Sequence, residues 1–285
     1  MTTRRDGPGG SGPGPGRGPG RGPGGFRKPG GPPRPPQRRG GPPTGPQGGP
    51  DDPVVLYGWH PVAQALANTE RQLHRLLATE NAIARLTEEL GTLRIDPELV
   101  RPSAINALLG PDAVHQGLYL EADPLPAPGL DDLPADALLL ALDQITDPHN
   151  VGAIVRTAAA FGVAGIVTTA RHSPNATGVM AKSASGGLEH VPLIVVRNLA
   201  EALIELGERG FSRIGLDSEA ETTLDTVGPQ RPAVIVLGAE GKGLRQRTRE
   251  CCDVLARIAL TGEIHSLNVS NAAAITLYAL RRPEA

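Results

Sequence analysis

Only two cysteines occur in this sequence, Cys251 and Cys252, and they are neighbours. Adjacent thiols lack ligand spacing for zinc and cannot staple distant segments, which excludes a disulfide scaffold. A reducing cytoplasm is therefore the expected compartment. No stretch approaches 18 unbroken apolar residues, so no membrane span is expected, and the N-terminus lacks the apolar core of a secretory signal. The seven histidines are scattered. Neither H-E-x-x-H nor G-x-S-x-G is present, and G-x-x-x-x-G-K-[ST] is missing too, because GAEGKG at Gly238–Gly243 has the wrong spacing. No G-x-G-x-x-G follows the first strand of the C-terminal half. A metal site is not expected, and the missing glycine pattern weighs against a dinucleotide site.

What is present falls into distinct stretches. Residues 1–50 hold 18 Gly, 14 Pro and nine Lys or Arg against one acid, Asp6, and Phe26 is their only aromatic. Such a segment buries too little apolar surface to offset its ordering entropy, so disorder is expected over 1–52. Its arginines suit non-specific contact with an RNA backbone; a merely solubilising tail is the plainer alternative. Residues 51–285 carry 19 basic against 29 acidic side chains. An acidic body argues against a basic face covering it, but not against a local patch.

Val54 to about Asp123 reads as a small α/β domain. VVLYG, LHRLLAT, TLRID and GLYLEA are expected strands, and HPVAQALAN and NAIARLTEEL expected helices. His60 is expected as a helix cap and His115 as a partly buried polar residue. DPLPAPGLDDLPAD, running to Asp136, reads as a Pro-rich linker that lets the small domain move. From Ala137 to Ala285, ALLLALDQI, GIVTTA, PLIVV, RIGLD, AVIVLG and ARIAL alternate with helical segments. This is the pattern of an α/β fold with a parallel sheet. Asn150 is expected in the turn before a helix that buries Val151, Ile154, Val155 and Ala158, and Val269 to Leu280 reads as an Ala-rich helix.

The last third contains two loops of similar build. VLGAEGKGL, Val236–Leu244, has Glu240 as its only acid among three glycines, and IALTGEIHSLNVSNAAAITLYAL, Ile258–Leu280, places Ser266 and Asn268 where a helix begins. Loops at the carboxyl ends of parallel strands are where such proteins bind ligands, and free backbone N–H groups gather at helix starts. Turn glycines and an ordinary cap remain the alternative for each loop taken alone.

GAEGKGL and SLNVS, with DPHNVGAIVRTAAAFGV (Asp147–Val163) upstream, resemble in order and spacing the three motifs of the SpoU branch of the SPOUT RNA methyltransferases. The closest form is that of the bacterial 23S ribosomal RNA guanosine 2′-O-methyltransferases, and the likeness runs from Val54 to the C-terminus. It implies S-adenosylmethionine as cofactor and ribosomal RNA as partner; transfer RNA, or RNA binding without catalysis, are the alternatives. It also implies a homodimer with the site completed near the subunit interface. A ribosomal-protein-L30e-like domain that grips RNA would occupy 53–123, a linker 124–136, and a methyltransferase domain with a deep trefoil knot 137–285. Departures from the family are Ala259 where proline is common, His265 where a small residue is common, and Ala239 in place of a frequent serine.

Methyl transfer to a ribose hydroxyl needs a cofactor cradle, alignment of the hydroxyl and help with its proton. The resemblance gives backbone groups of Gly238, Ile258 and Leu267 to the cradle, and Asn150, Arg156, Glu240, Ser266 and Asn268 to catalysis. For Ile258 and Leu267 plain core packing is compatible with that role. Arg156 stands where the family places the activator of the hydroxyl. A guanidinium is effectively never neutral, so the expected role is electrostatic stabilisation of the developing alkoxide; a surface salt bridge is the alternative.

Overall fold

The computed structural model describes residues 53–170, 178–228 and 230–280. The Gly/Pro/Arg segment 1–52 lies outside them. In chain order, β1 (Val54–Tyr57), α1 (Trp59–Ala67), β2 (Leu73–Ala78), α2 (Glu80–Leu90), β3 (Glu98–Leu99), α3 (Pro102–Leu109) and β4 (Leu118–Ala122) come first. They build a four-stranded sheet of order β1-β4-β2-β3, with β4 antiparallel to both β1 and β2. Leu56, Leu76, Leu86, Leu118 and Leu120 are fully buried in its core. The helix α3 was not anticipated, although Pro102 at its first turn and Gly110 just past its end mark its limits.

Three expectations for this half are corrected. Thr92–Asp96 is not a strand; Leu93 and Ile95 do turn inward, but Arg94 between them donates to the carbonyls of Asn68, Thr69 and Arg71, and the strand forms only after Pro97. His60 does not cap α1, which starts one residue earlier from Gly58 at φ 87°; only glycine turns there without strain. His115 is buried rather than partly buried. Its Nδ1 accepts the Gly117 N–H at 3.0 Å and its Nε2 meets Asn106 Oδ1 at 3.0 Å. Burial holds its pKa below the usual imidazole value.

The remaining elements are β5 (Leu138–Asp143), α4 (Pro148–Ala160), β6 (Gly165–Thr169), α5 (Gly178–Ala184), β7 (Leu193–Val196), α6 (Leu199–Glu208), β8 (Ser212–Leu216), β9 (Thr222–Thr223), α7 (Leu224–Val227), β10 (Ala233–Gly238), α8 (Gln246–Glu250), β11 (Val254–Arg257) and α9 (Val269–Leu280). Seven strands form one parallel sheet, β7-β6-β5-β10-β8-β11-β9. Every residue of β5 is buried. Leu138, Leu140 and Leu142 face the core shared with α4 and α9, while Leu139 and Ala141 face the core under α6, the period of two that a strand covered on both faces requires. The chain runs from β5 outward to β7, then returns to build the other side, so the order switches between β5 and β10. Parallel sheets bind ligands outside the carboxyl ends of their strands near such a point; here the cavity lies beside it, at the ends of β10, β8 and β11.

Asn150 lies within α4 rather than before it. Asp147 caps the helix by accepting the His149 N–H at 3.0 Å, and Pro148 occupies its first turn, which places Asn150 inside that turn. The strand expected over ARIAL ends early. Ala256 pairs with Leu216 and Thr222, and Arg257 with Thr223; no partner rung follows, so Ile258 lies just past the strand.

The Pro-rich connection is not a free hinge. Leu133 is buried, and Arg209 donates to the carbonyls of Leu130, Asp131 and Leu133. Across the junction, Arg71 at the foot of the small sheet pairs with Glu189 beside α5: Nη2 to Oε1 is 2.5 Å and Nε to Oε2 3.2 Å. Asn68 donates to the same carboxylate at 2.8 Å. The two charged side chains are only 4% and 3% exposed. Breaking one partner of a buried pair leaves an uncompensated charge. Glu189→Gln should therefore cost about 3–5 kcal/mol in chemical denaturation, and the double variant Arg71→Met/Glu189→Leu should recover most of that loss.

Candidate functional site

The carboxyl ends of β8, β10 and β11 open into a cavity of about 400 Å³. Leu216, Gly238 and Arg257 come from the strand ends, Ile258, Leu260, His265, Ser266 and Leu267 from the loop after β11, and Val269 and Ala272 from α9. The three residues expected to form a cradle, Gly238, Ile258 and Leu267, thus share one cavity, and Ser266 joins them. Ser266 itself is exposed.

At its edge three elements meet on one carboxylate. Glu240 Oε1 accepts from Asn268 Nδ2 at 2.7 Å, from Asn150 Nδ2 at 3.2 Å and from the Val269 backbone N–H at 3.3 Å. Asn268 also donates to Asn150 Oδ1 at 2.9 Å. Its own Oδ1 accepts the Ser270 N–H at 2.9 Å and the Ser270 hydroxyl at 2.6 Å. Asn268 is the cap of α9, and the backbone donor fixes which end of its amide points inward. The carboxylate sits at the positive end of that helix. Two side chains from motifs 118 residues apart are thereby held around one acid.

Two features that the sequence reading did not single out hold this arrangement. Asp143, at the end of β5 and 1% exposed, accepts the Arg245 N–H at 2.9 Å and Arg245 Nε at 2.7 Å. This pins the glycine loop to β5, the neighbour of the strand it leaves; an acid closing the apolar run LLLALD was the available signal. Asp217, which also lines the cavity, pairs with Arg249 of α8. The vicinal cysteines do not line the cavity, and burial foremost, with Cys251 beside it, pushes the Cys252 thiol up to about 12.

Arg156 stands apart. It is exposed on α4, does not line the cavity, and forms no ion pair with any described residue. Among the described residues no group of His, Cys, Asp and Glu is placed to hold a metal ion, and no helix is long and apolar enough to cross a membrane.

Residues 137–278 match the SpoU rRNA Methylase family, and residues 55–128 match the RNA 2′-O ribose methyltransferase substrate binding family. A curated relative from Ralstonia nicotianae, named 23S rRNA (guanosine-2′-O-)-methyltransferase RlmB, is 36% identical over 79% of this chain and 93% of its own. The chain belongs to the SpoU methylase family. The protein of the same name from Pseudomonas aeruginosa is 42% identical over 60% of this chain and 72% of its own. Among solved structures, the SpoU methyltransferase AviRb from Streptomyces viridochromogenes, in complex with AdoMet, superposes with a TM-score of 0.69 at 25% identity, covering 81% of this chain and 90% of that one.

The cavity fits the cofactor of this family. Backbone groups at three strand ends, flanked by Leu216, Ile258 and Leu260, offer the apolar slot with convergent polar groups that a flat base and ribose need. A Cβ on Gly238 would lie 2.3 Å from the carbonyl carbon of Gly243 and 2.5 Å from Leu244 N. A side chain there would strike the loop itself before it could crowd a cofactor. Gly238→Ala should cost about 1–3 kcal/mol in stability through overpacking and weaken AdoMet binding with it, as melting and calorimetry on one preparation would show. An unchanged melting temperature with weaker binding would restore the crowding account.

Proposed function

We propose that this chain transfers a methyl group from AdoMet to a ribose 2′-hydroxyl, that of a guanosine in 23S ribosomal RNA. The observation that carries the reading is the Asn150–Glu240–Asn268 cluster at the rim of the strand-end cavity. AdoMet, when bound, supplies an electrophilic methyl group on a sulfonium that departs as a neutral thioether. Gly238, Ile258 and Leu267 hold the cofactor through backbone atoms, and Ser266 at the mouth helps position the hydroxyl. Glu240 gathers Asn150 and Asn268, so those amides are oriented before substrate arrives. Residues 137–285 form the catalytic domain, and the trefoil threading of its C-terminal segment belongs to the same reading. Residues 53–123 grip the RNA. A cytoplasmic place of action goes with a ribosomal substrate.

Arg156 supplies positive charge to the alkoxide that develops as the hydroxyl proton passes to solvent. Arg156 is exposed and forms no ion pair with any described residue, which suits contact with an RNA oxygen. Arg156→Ala should lower single-turnover methylation on the order of 10²–10³-fold with little change in cofactor affinity, and Arg156→Lys, charged but not forked, should restore only part. Ribose-methylation mapping of RNA from a deletion strain tests the substrate; unchanged 23S RNA would reject it.

The working unit is a homodimer. Arg156 lies outside the cavity of its own chain, as a site completed by a second copy requires. On α9, Ile275 and Tyr278 are exposed at 41% and 64% beside a run of alanines that permits close approach. Tyr278→Glu should halve the mass measured by light scattering and lower activity with it. A fully active monomer would sink this claim.

A further inference from the structure

A second cavity, of about 380 Å³, lies in the small domain, lined among others by Trp59, Thr79, Asn81, Arg85 and Gln116. Its volume is within the range of ligand pockets. The guanidinium carbon of Arg85 sits 3.6 Å from the centroid of the Trp59 ring, the separation of stacked planes. Trp59 is 4% exposed and belongs to the core beneath, so its ring is a fixed floor and Arg85 is the exposed layer above it. Among the described residues Arg85 forms no ion pair, and its charge has only the ring as partner.

The rim is built as firmly. Among the described residues, Gln116 is one of three non-glycine residues with positive φ, at 53°, a conformation that carries a cost and gathers at functional sites. It is held there because its Oε1 accepts the Trp59 backbone N–H at 2.8 Å, which leaves the amide NH₂ as an unused donor. Gly117 beside it could carry no side chain, since a Cβ would lie 2.3 Å from Thr79 Oγ1. Asn81, exposed at the start of α2, adds both a donor and an acceptor. His115 spends both ring nitrogens on Asn106 and Gly117, so it serves the wall rather than the ligand.

A flat cation presented face outward, flanked by two amide side chains, matches a flat ligand with polar edges on an anionic chain. We infer that this cavity is a subsite for one unpaired nucleotide of the substrate RNA, its base stacked on the Arg85 guanidinium and its edge read by Asn81 and Gln116. Recognition of unpaired RNA relies on such stacking and edge contacts. The inference rests on the proposed RNA substrate, and it assigns a place where a paired helix would find no purchase.

Trp59 is the only tryptophan in the chain, so fluorescence of the intact protein excited beyond tyrosine absorption comes from this site. Titration with a single-stranded RNA oligonucleotide should change that emission saturably, and a blunt duplex of the same sequence should change it much less. Arg85→Ala should weaken single-strand binding roughly 5- to 150-fold, the range of one lost base stack, with AdoMet affinity and melting temperature unchanged. Arg85→Lys, which keeps the charge but loses the plane, should behave nearly as the alanine variant does. Equal responses to single strand and duplex would overturn the inference, as would unchanged RNA affinity in Arg85→Ala or an equal response to polyglutamate. The two readings fail separately: Arg85-dependent RNA binding without methyl transfer leaves the subsite standing, and methyl transfer with RNA affinity indifferent to Arg85 removes only the subsite.

Discussion

The site depends on one carboxylate. Glu240 is the point where three stretches far apart in sequence meet, through Asn150 at the start of α4, Asn268 before α9 and the Val269 N–H. Ionised carboxylates accept the stronger class of hydrogen bond, and here the acid also faces the N-terminus of a twelve-residue helix. Remove that acceptor and two amides and a helix N–H lose their common partner together. The arrangement can persist in an exposed position only because each contributor is anchored behind it. Asn268 is anchored by the cap bonds it accepts from Ser270, and Asn150 by Asp147 and Pro148. The glycine loop that carries Glu240 is anchored by Arg245 on buried Asp143.

That anchoring explains why the loop is built of glycine. Gly238 admits the backbone of Gly243 and Leu244 at distances no side chain would allow, and Ala239 closes the turn by accepting the Gly243 N–H at 2.8 Å. The loop folds onto itself at the end of β10, turning Glu240 toward α4 and α9 while leaving backbone groups on the cavity wall. Glycine thus acts first on the protein's own geometry, and room for a ligand follows from it.

The α/β pattern was legible because β5 and β10 are apolar on both faces and the helices between them have period 3.6. The two loops were legible as ligand loops because each leaves an apolar strand through glycine or small polar residues, whereas the individual site residues came from the likeness to the SpoU motifs. Less visible were features set by pairing partners. Nothing in ARIAL shows that β9 and β8 stop offering rungs at Arg257, and nothing in TLRID shows that Arg94 will occupy carbonyls of the neighbouring turn. Asp143 was hidden in plain sight at the end of its strand. The linker was misread because composition reports its stiffness, whereas its freedom is decided by Arg209 and by the Arg71–Glu189 pair on the far side of the junction.

That pair bears on how RNA is handled. A buried, multiply bonded ion pair has a narrow geometry, since each hydrogen bond from Arg71 and Asn68 fixes the Glu189 carboxylate from another direction. Side chains also cross the junction, with Ala181 of α5 packed into the small-sheet core and Gln64 of α1 meeting His190 at 3.1 Å. The small sheet and the large sheet are therefore one packed body, and a base docked at Arg85 lies at a set distance from the strand-end cavity. In a body whose net charge is negative, general attraction cannot select the target. Selection then falls to the match between that distance and the fold of the RNA, with an unpaired nucleotide at one end and the reacting ribose at the other.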